Sequence, residues 1–437
     1  VTAAQEAYFY RACGTARWTY NKAFELSKPF VSEHDKPPTF FTLEKWIRDL
    51  KKENEELAWL NDVGARVRNG ACEALAKAWK RYYQRRRYWQ RLQEKKGKPN
   101  LGKPKFKKKG KAKFSFRAAY AGECKVEPAG TKSQRSRIWI PRLGWVKGRE
   151  PLRFEGELIE TRITRDGKGR WYAVILVKMP WTPPVRENQV DGGVDMGVKT
   201  LAVDSDGYCY ESPKTAYARL QKRKRRWERK RSRRQPVKGE KPSKGYLKAC
   251  ARVAGYAARM ADIRQSNTHR VSHALVHKYT RLAIEDLNIR GMMAKGGSRK
   301  RGLNRGLAEA SLATLRTQLE YKGDLYSCEV VPVDRFFASS KKCSHCGYEK
   351  QDLKLSHRTI TCKNKKCGRT YDRDVNAAIN IREEAKRIKL NELGRTTPEV
   401  TPRECDTKPD VQRRRLATRR TRNPRRSRAA AIQLPLL

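Results

Sequence analysis

The sequence predicts a multidomain α+β protein, and three observations support that fold class. At 437 residues the chain is long enough for several domains, each with its own core. Its first 94 residues show mainly helical periodicity, whereas residues 114–178 alternate apolar and polar side chains as antiparallel strands do. Beyond residue 185, short apolar strands alternate with long helical runs. The chain therefore combines a helical part, a β part and a mixed part.

The helical part is expected to contain helices over residues 2–28 and 41–92, with Pro29, Pro37 and Pro38 marking a break between them. Arginines flank an aromatic stripe in the second region, and Arg81 and Arg85 are candidates for contacting nucleic acid. The stripe itself is read as packing rather than as a binding surface.

The β part follows a Gly/Pro/Lys-rich stretch, residues 95–113, which cannot form a regular helix. We expect this stretch to be a basic loop, with Lys105 and Lys107 among its candidate nucleic-acid contacts. Residues 114–178 then predict a small antiparallel β domain, arranged as a barrel.

The charge of the chain points to a polyanionic partner. Lys and Arg number 101 against 46 Asp and Glu, a formal charge of +55. Phosphate backbones are the natural counterpart of such an excess, and the many aromatic residues favour unpaired nucleic acid. In residues 219–234, 11 of 16 residues are basic, so Arg223, Arg225 and Arg226 are further candidate contacts.

Four cysteines have the spacing of a zinc ribbon. Two residues lie between Cys343 and Cys346, four lie between Cys362 and Cys367, and fifteen separate the two pairs. Paired thiolates presented by two tight turns can close a tetrahedral Zn²⁺ site. The other seven cysteines are isolated, which indicates a reducing compartment. With no signal segment and no membrane-spanning run, we expect an intracellular, cytoplasmic protein.

Three acidic residues stand out because each adjoins apolar sequence. Asp195 lies within a predicted strand, Glu285 ends another, and Asp374 lies where a strand gives way to a helix. Carboxylates from separate elements that converge at a sheet edge suit two Mg²⁺ ions and phosphodiester hydrolysis. Arg373, next to the last of these acids, is a candidate nucleic-acid contact. The residues alone do not show that the three acids meet.

The motifs around these acids resemble the TnpB proteins of insertion sequences, relatives of compact type V CRISPR effectors. GVDMGVKTLAV surrounds Asp195, LAIEDLNIRGM surrounds Glu285, and RFFASSKKCSHCG with TCKNKKCGRTYDRDVNAAINI leads to Asp374. The resemblance implies an RNA-guided DNA endonuclease with guide RNA and target DNA as partners. It places the catalytic, Mg²⁺-binding acids on these three positions and structural Zn²⁺ on the four cysteines.

The resemblance also implies a division of the chain into parts. We expect a helical recognition domain (1–94), a basic linker and β-barrel wedge domain (95–184), a RuvC nuclease domain of RNase H-like fold (185–336 and 371–392), an inserted zinc ribbon (337–370) and a basic disordered tail (393–437). The Gly-rich loop at residues 290–306 would be a mobile lid over the nuclease site.

Three departures from the family pattern are visible. The second cysteine pair has four intervening residues where two are commoner, and Ala338 replaces a usual proline. Family members usually begin with a strand that pairs into the β domain, and we find none before Thr2. Either the start is truncated or another segment completes the barrel edge. Because none of these touches the acids, we expect an active nuclease.

Three alternatives stay open at this point. A compact type V CRISPR effector shares the same motifs, a guided DNA-binding regulator would bind without cutting, and an unguided basic zinc-ribbon protein would leave the acidic motifs unexplained. The sequence does not fix the oligomeric state.

Overall fold

The computed structural model describes residues 1–91, 102–128, 135–152, 154–237, 239–294, 297–350, 353, 357–394 and 428–435. Its elements, in chain order, are α1 (Ala3–His34), α2 (Phe40–Glu53), a 3₁₀ helix (Glu55–Asn61), α3 (Ala65–Arg91), β1 (Ser115–Tyr120), β2 (Val126–Pro128), β3 (Ser136–Ile140), β4 (Gly144–Lys147), β5 (Glu157–Arg165), β6 (Trp171–Met179), β7 (Asp191–Met196), β8 (Ala202–Asp204), β9 (Cys209–Tyr210), α4 (Lys214–Arg233), α5 (Lys244–Lys278), β10 (Arg281–Glu285), α6 (Ile289–Met292), α7 (Ser298–Ala310), α8 (Leu312–Leu325), β11 (Glu329–Val333), β12 (Thr359–Thr361), β13 (Thr370–Asp372), α9 (Arg373–Gly394) and β14 (Arg428–Pro435).

These elements form two compact units. The first comprises Val1–Trp181 with Arg422–Leu437, and the second comprises Thr182–Thr421. Across the residues just described, no helix combines the length and the apolar character needed to cross a membrane. The mixed α+β, multidomain class expected from the sequence is confirmed.

Helix α1 of the first unit runs through Pro29, so the expected break at that residue is wrong. The helix begins with a capping box in which Thr2 and Gln5 bond each other's backbone N–H groups. A proline inside a helix removes one backbone hydrogen bond. Here the chain stays helical for five more residues because Phe30 packs edge-on against Trp46, with ring centres 5.5 Å apart.

The helices and strands of the first unit share one core. The Phe9 ring on α1 lies 5.9 Å from the centre of Phe116 on β1 and 5.0 Å from that of Trp171 on β6. All three side chains are buried in one apolar cluster. We expected the segments 1–94 and 95–184 to be separate domains, but their described residues up to Trp181 lie in a single compact unit.

The strands of this unit form two open sheets, in the order β1-β5-β6-β14 and β2-β3-β4. Among the described strands no closed barrel forms, which corrects our expectation of a barrel. Strand β14, residues 428–435, pairs antiparallel with β6. For these eight residues the expected disorder is also corrected. The remainder of the predicted tail beyond residue 394 lies outside the described residues.

The second unit is built on a five-stranded sheet in the order β11-β10-β7-β8-β9. Strands β11, β10 and β7 are parallel, whereas β8 and β9 return antiparallel. One sheet face packs on helices α5, α7 and α8 through Val194, Leu282 and Leu315. The other packs on α9, where Ala283 meets Ile381. Because helices cover both faces of the sheet, successive side chains of these strands are buried, and the strands appear in the sequence as short apolar runs.

The stretch expected to be a mobile lid loop, residues 290–306, contains helix in its described part. Helix α6 ends at Met292, and α7 covers residues 298–310. Ser311 then takes a left-handed conformation, with φ of 55°, and separates α7 from α8.

Candidate active site

Asp195 and Glu285 lie on neighbouring strands. Strands β7 and β10 are parallel, and their register pairs Val194 with Ile284. Asp195 and Glu285 are the next residues along each strand. Because aligned residues on adjacent strands point to the same sheet face, the two carboxylates project together near the carboxyl ends of the strands.

Helix α9 covers the sheet face from which they project. A Cβ atom on Gly193 would lie 2.0 Å from the Ala378 carbonyl oxygen and 2.6 Å from the Arg382 amide nitrogen. Only glycine therefore permits this close approach of strand and helix. Asp195, two positions further along the strand, points to the same face. Asp374 lies in the first turn of that helix.

The pKa of Asp195 is affected by the charges of the other two acids. Burial raises the pKa of the Asp195 carboxyl, and the negative charges of Glu285 and Asp374 act in the same direction. Arg373 and Arg358 oppose them, and the resulting pKa is about 7. The structure thus brings all three sequence-predicted acids together, close enough for each to affect the first. We call Asp195, Glu285 and Asp374 the acid triad.

The acid triad has the chemistry of a divalent-cation site. Its donors are hard carboxylate oxygens from three separate elements, which is the ligand type that Mg²⁺ prefers. Crowded carboxylates repel one another, and a bound cation relieves that repulsion. The residues present therefore fit the metal that the sequence predicts.

Glu285 is oriented by a neighbour that the sequence analysis did not identify. The Ser339 hydroxyl donates a 2.6 Å hydrogen bond to Glu285 Oε1. Ser339 is itself buried, and its carbonyl accepts a 2.8 Å bond from Asn380 Nδ2 on α9. The serine thus fixes one carboxylate oxygen of Glu285. Because the carboxylate is planar, the direction of its other oxygen is then restricted as well.

Asp374 is held by two guanidinium groups. Arg358 Nη1 lies 2.9 Å and 3.2 Å from the two Asp374 oxygens. The Arg373 side chain donates two more bonds to Asp374 Oδ1, at 2.9 Å and 3.1 Å. A metal ion would compete with these cations for the same oxygens. Nothing in so basic a sequence singles out Arg358 for this contact.

A second carboxylate group lies on the opposite face of the sheet. Asp204 is fully buried, and Lys278 Nζ lies 2.8 Å from it and 2.8 Å from Asp206. The Tyr279 hydroxyl also donates to Asp206, at 2.9 Å. Hydrogen bonds from Lys278 lower the pKa of Asp206. We call Asp204, Asp206, Lys278 and Tyr279 the lysine network.

The four ribbon cysteines form a compact thiol cluster. Their Sγ atoms all lie within 4.8 Å of one another. The Cys343–Cys367 and Cys346–Cys362 sulfur pairs are 4.0 Å and 3.5 Å apart. A tetrahedral site with Zn–S bonds of about 2.3 Å separates its sulfurs by about 3.8 Å. The cluster therefore matches the size of a structural zinc site.

The turns that present these thiols are of the tight kind that the sequence predicts. Gly347 and Gly368 have φ of 73° and 52°, the left-handed region that glycine adopts without strain. Burial acts to raise the pKa of Cys343, but the backbone N–H groups of Cys346 and His345 outweigh it and lower that pKa to about 7. A lowered thiol pKa favours the thiolate that a metal binds.

Two buried asparagines join the ribbon to α9, and the sequence analysis missed both. Asn376 accepts from the Ser344 amide at 2.8 Å and donates to the Lys342 carbonyl at 2.7 Å. Asn380 donates to the same carbonyl at 2.6 Å. Polar residues four apart on the apolar face of a helix are the signal that could have identified them.

The basic residues predicted to contact nucleic acid fall into two groups. Six of them are exposed and available to phosphate: Arg81, Arg85, Lys105, Arg223, Arg225 and Arg226. Lys107 instead packs its ammonium group 3.7 Å from the centre of the Tyr20 ring, and burial lowers its pKa to about 8. Arg373 is committed to Asp374. These last two positions are therefore better described as structural.

Two family models match parts of the chain. Residues 174–295 match the model described as "Probable transposase" (OrfB_IS605), and residues 313–381 match "Cas12f1-like, TNB domain". The first match contains Asp195 and Glu285, and the second contains the thiol cluster and Asp374.

Curated relatives match over most of the chain. A protein of Streptomyces pristinaespiralis whose assigned name describes an RNA-guided DNA endonuclease is 30% identical over 381 residues, covering 86% of this chain and 85% of that protein. InsQ of Escherichia coli (strain K12), named in the same way, is 26% identical over 389 residues, covering 86% and 88%. A TnpB-like protein of Acanthamoeba polyphaga mimivirus, L79, is 35% identical over 127 residues, covering 29% of this chain and 24% of that protein.

One solved structure shares the fold. The Cas12f1 protein, determined by cryo-electron microscopy in complex with sgRNA and target DNA, aligns with a TM-score of 0.52 and 16% identity. The alignment covers 85% of this chain and 81% of Cas12f1.

Proposed function

This chain belongs to the TnpB family of RNA-guided DNA endonucleases, and on that premise we propose that it cuts DNA at sites selected by pairing with a bound guide RNA. The acid triad carries the proposal. Asp195 and Glu285 share one sheet face, Asp374 begins the helix that covers it, and the charges of the latter two raise the pKa of Asp195. Such a convergence is what phosphodiester hydrolysis requires.

The site supports a RuvC type of nuclease with an RNase H-like sheet. The mixed five-stranded sheet, with its three parallel strands and its covering helix α9, is consistent with that assignment. Asp195, Glu285 and Asp374 would hold two Mg²⁺ ions. When bound, these ions supply an activated water and charge stabilisation for the departing 3′ oxygen.

The surrounding residues have positioning roles. Ser339 fixes the rotamer of Glu285, and Arg358 holds both oxygens of Asp374 at the start of α9. The ribbon, with Zn²⁺ in its thiol cluster, would keep Arg358 and the start of α9 in place, because Asn376 bonds the ribbon backbone.

The basic surface supports guide RNA and target DNA as partners. A charge of +55 and the exposed arginines of α3 and α4 favour phosphate backbones without regard to sequence. Pairing with the guide would then supply the sequence choice, while the protein would read a short flanking motif beside the target.

The test is cleavage by the protein purified with its co-expressed guide RNA. We expect a supercoiled plasmid with the guide-matched sequence to be linearised when Mg²⁺ is present and to stay intact in EDTA. A plasmid without that sequence is the control. One discrete RNA species that co-purifies with the chain would support the guide, and failure to cut would overturn the enzyme assignment.

A guided regulator that binds without cutting is the second candidate. The observation in its favour is the pairing of Asp374 with Arg358 and Arg373, because a neutralised carboxylate is a poorer metal ligand. Binding of the matched plasmid with no nicking at any Mg²⁺ concentration would favour it. A compact type V CRISPR effector differs by the neighbouring DNA, which would hold a CRISPR array instead of transposon ends.

A further inference from the structure

Phe336 presents an almost fully exposed aromatic ring beside the acid triad. Its side chain is 88% exposed, whereas the next residue, Phe337, packs against the apolar cluster between the sheet and α9. A single exposed phenyl ring is ordinary on a protein surface. What distinguishes this ring is the way in which the chain around it is held.

The turn that carries Phe336 is tied to the site on both sides. Before it, Arg335 donates a 2.5 Å hydrogen bond to Asp286, the residue after Glu285. After it, Ser339 donates a 2.6 Å bond to Glu285 itself. The ring is therefore anchored within a few residues of a member of the acid triad.

The same turn is stiffened by its own hydrogen bonds. The Phe336 amide donates to Asp334 Oδ1 at 2.7 Å, and the Phe337 amide donates to the Asp334 carbonyl at 3.1 Å. Asn380 on α9 donates to the Ser339 carbonyl at 2.8 Å. Because the backbone of this turn is already fixed, it loses little freedom when a planar group stacks on the Phe336 ring.

We propose that Phe336 stacks on an unpaired base of the DNA strand that is cut, and so positions the scissile phosphate at the acid triad. This proposal deepens the proposed function and rests on it. Aromatic rings stack on any base regardless of sequence, which suits an enzyme whose target is chosen by a guide. The guanidinium group of the preceding residue, Arg335, is 41% exposed and favours a nucleotide with its phosphate over an apolar protein surface as the occupant.

Two substitutions separate stacking from apolar bulk. Phe336→Leu keeps an apolar side chain without a ring, and Phe336→Tyr keeps the ring. With the guide-bound protein and a fluorescein-labelled matched duplex, we expect Phe336→Leu to lower the single-turnover cleavage rate by about tenfold, the usual scale of one stacked base. Phe336→Tyr should stay within about twofold of the unsubstituted protein, by the same scale.

Phe41→Leu is the matched control. It removes a ring that is 77% exposed on α2, in the other unit, and we expect it to leave the cleavage rate unchanged. Thermal melting should be nearly the same for all variants, because both phenylalanine side chains are mostly exposed. A wild-type rate for Phe336→Leu, or an equal loss in Phe336→Tyr and Phe336→Leu, would overturn the proposal.

A second readout does not depend on cleavage. With Ca²⁺ in place of Mg²⁺, 2-aminopurine is placed at successive positions of the strand near the cut. We expect its fluorescence to be quenched at one or two positions by the unsubstituted protein, and the quenching to be lost in Phe336→Leu. An unchanged pattern would contradict stacking. If the unsubstituted protein never cuts, the nuclease assignment fails, while this quenching still decides the role of Phe336.

Discussion

The two faces of the five-stranded sheet carry acidic groups of opposite character. In the lysine network, Lys278 lies 2.8 Å from both Asp204 and Asp206, so the protein supplies its own cation. In the acid triad, Asp195 has a raised pKa because burial and two further carboxylates act on it. Aspartates a few positions apart in the chain, Asp195 and Asp204, thus have different roles: one fits a metal site and the other a structural ion pair.

The difference teaches how to distinguish a structural acid from a ligand. Asp204 accepts bonds from the backbone of Asp206 and Tyr208 and from Lys278, so its charge is satisfied. At Asp195, burial and the charges of Glu285 and Asp374 outweigh the opposing charges of Arg373 and Arg358. A bound cation would therefore stabilise its charged form. The comparison predicts different responses to substitution on the two faces.

The largest effect is expected from Asp195→Ala. Loss of a metal ligand removes several kcal/mol of stabilisation from the transition state, so we expect the cleavage rate to fall by at least about 10³-fold. Guide RNA and target binding should persist, because they depend on phosphate contacts. Gel-based cleavage and filter-binding assays measure the two separately, with Asp206→Asn as the control that keeps near-normal cutting. Loss of guide binding in Asp195→Ala would count against the assignment.

The next effect concerns the ribbon that supports Asp374. We expect Cys343→Ser to abolish stoichiometric zinc in elemental analysis, because three thiolates close the site poorly. Cleavage should fall by about tenfold, the lower end of what a lost supporting group costs a metal site, since α9 and Arg358 lose their support. Cys250→Ser, outside the ribbon, is the control. Zinc content unchanged in Cys343→Ser would refute the ligand assignment.

The lysine network should respond in stability rather than in chemistry. Lys278→Met leaves Asp204 buried without its cation, and breaking a buried pair in this way costs about 3 kcal/mol. Urea unfolding of the protein should detect the loss in the free energy of unfolding. Lys278→Arg, which keeps the charge, is the control. Stability unaffected by Lys278→Met would show that the network is less important than its geometry indicates.

The smallest effect has the opposite sign. The pKa of Asp195 is about 7 in the folded chain and near 3.9 in an unfolded one, so its ionisation opposes folding as pH rises from about 4 to 7. In EDTA at pH 8 we expect Asp195→Asn to raise the free energy of unfolding by on the order of 2 kcal/mol. The gain should vanish by about pH 3, where Asp195 is protonated in both states. A loss of stability at pH 8 would contradict the electrostatic account.

The acids and the zinc ligands were accessible from sequence because local pattern marks them. Asp195 interrupts an apolar strand, and the four cysteines have a distinctive spacing. The sequence pattern did not show which face of the sheet each acid would occupy or which helix would cover that face. Gly193 lets α9 approach on one side, and Gly192, where a Cβ would collide with the Tyr279 ring at 2.5 Å, lets α5 approach on the other.

The features that sequence reasoning missed depend on contacts between distant residues. Helix α1 continues past Pro29 because Phe30 packs on Trp46, and tertiary packing of that kind outweighs a local signal. Strand β14 is specified by its pairing with β6, some 250 residues earlier in the chain. Arg358 is one base among 101, and only the fold brings it to Asp374.

The central claim is that the acid triad, and not the lysine network, is the metal-binding nuclease centre. The most direct measurement is anomalous diffraction at the manganese edge from crystals of the guide-bound protein with target DNA and Mn²⁺. We expect manganese density between Asp195, Glu285 and Asp374, with Arg358 displaced from the Asp374 oxygens. Manganese at Asp204 and Asp206, or an acid triad still bonded to Arg358 with no manganese, would contradict the account.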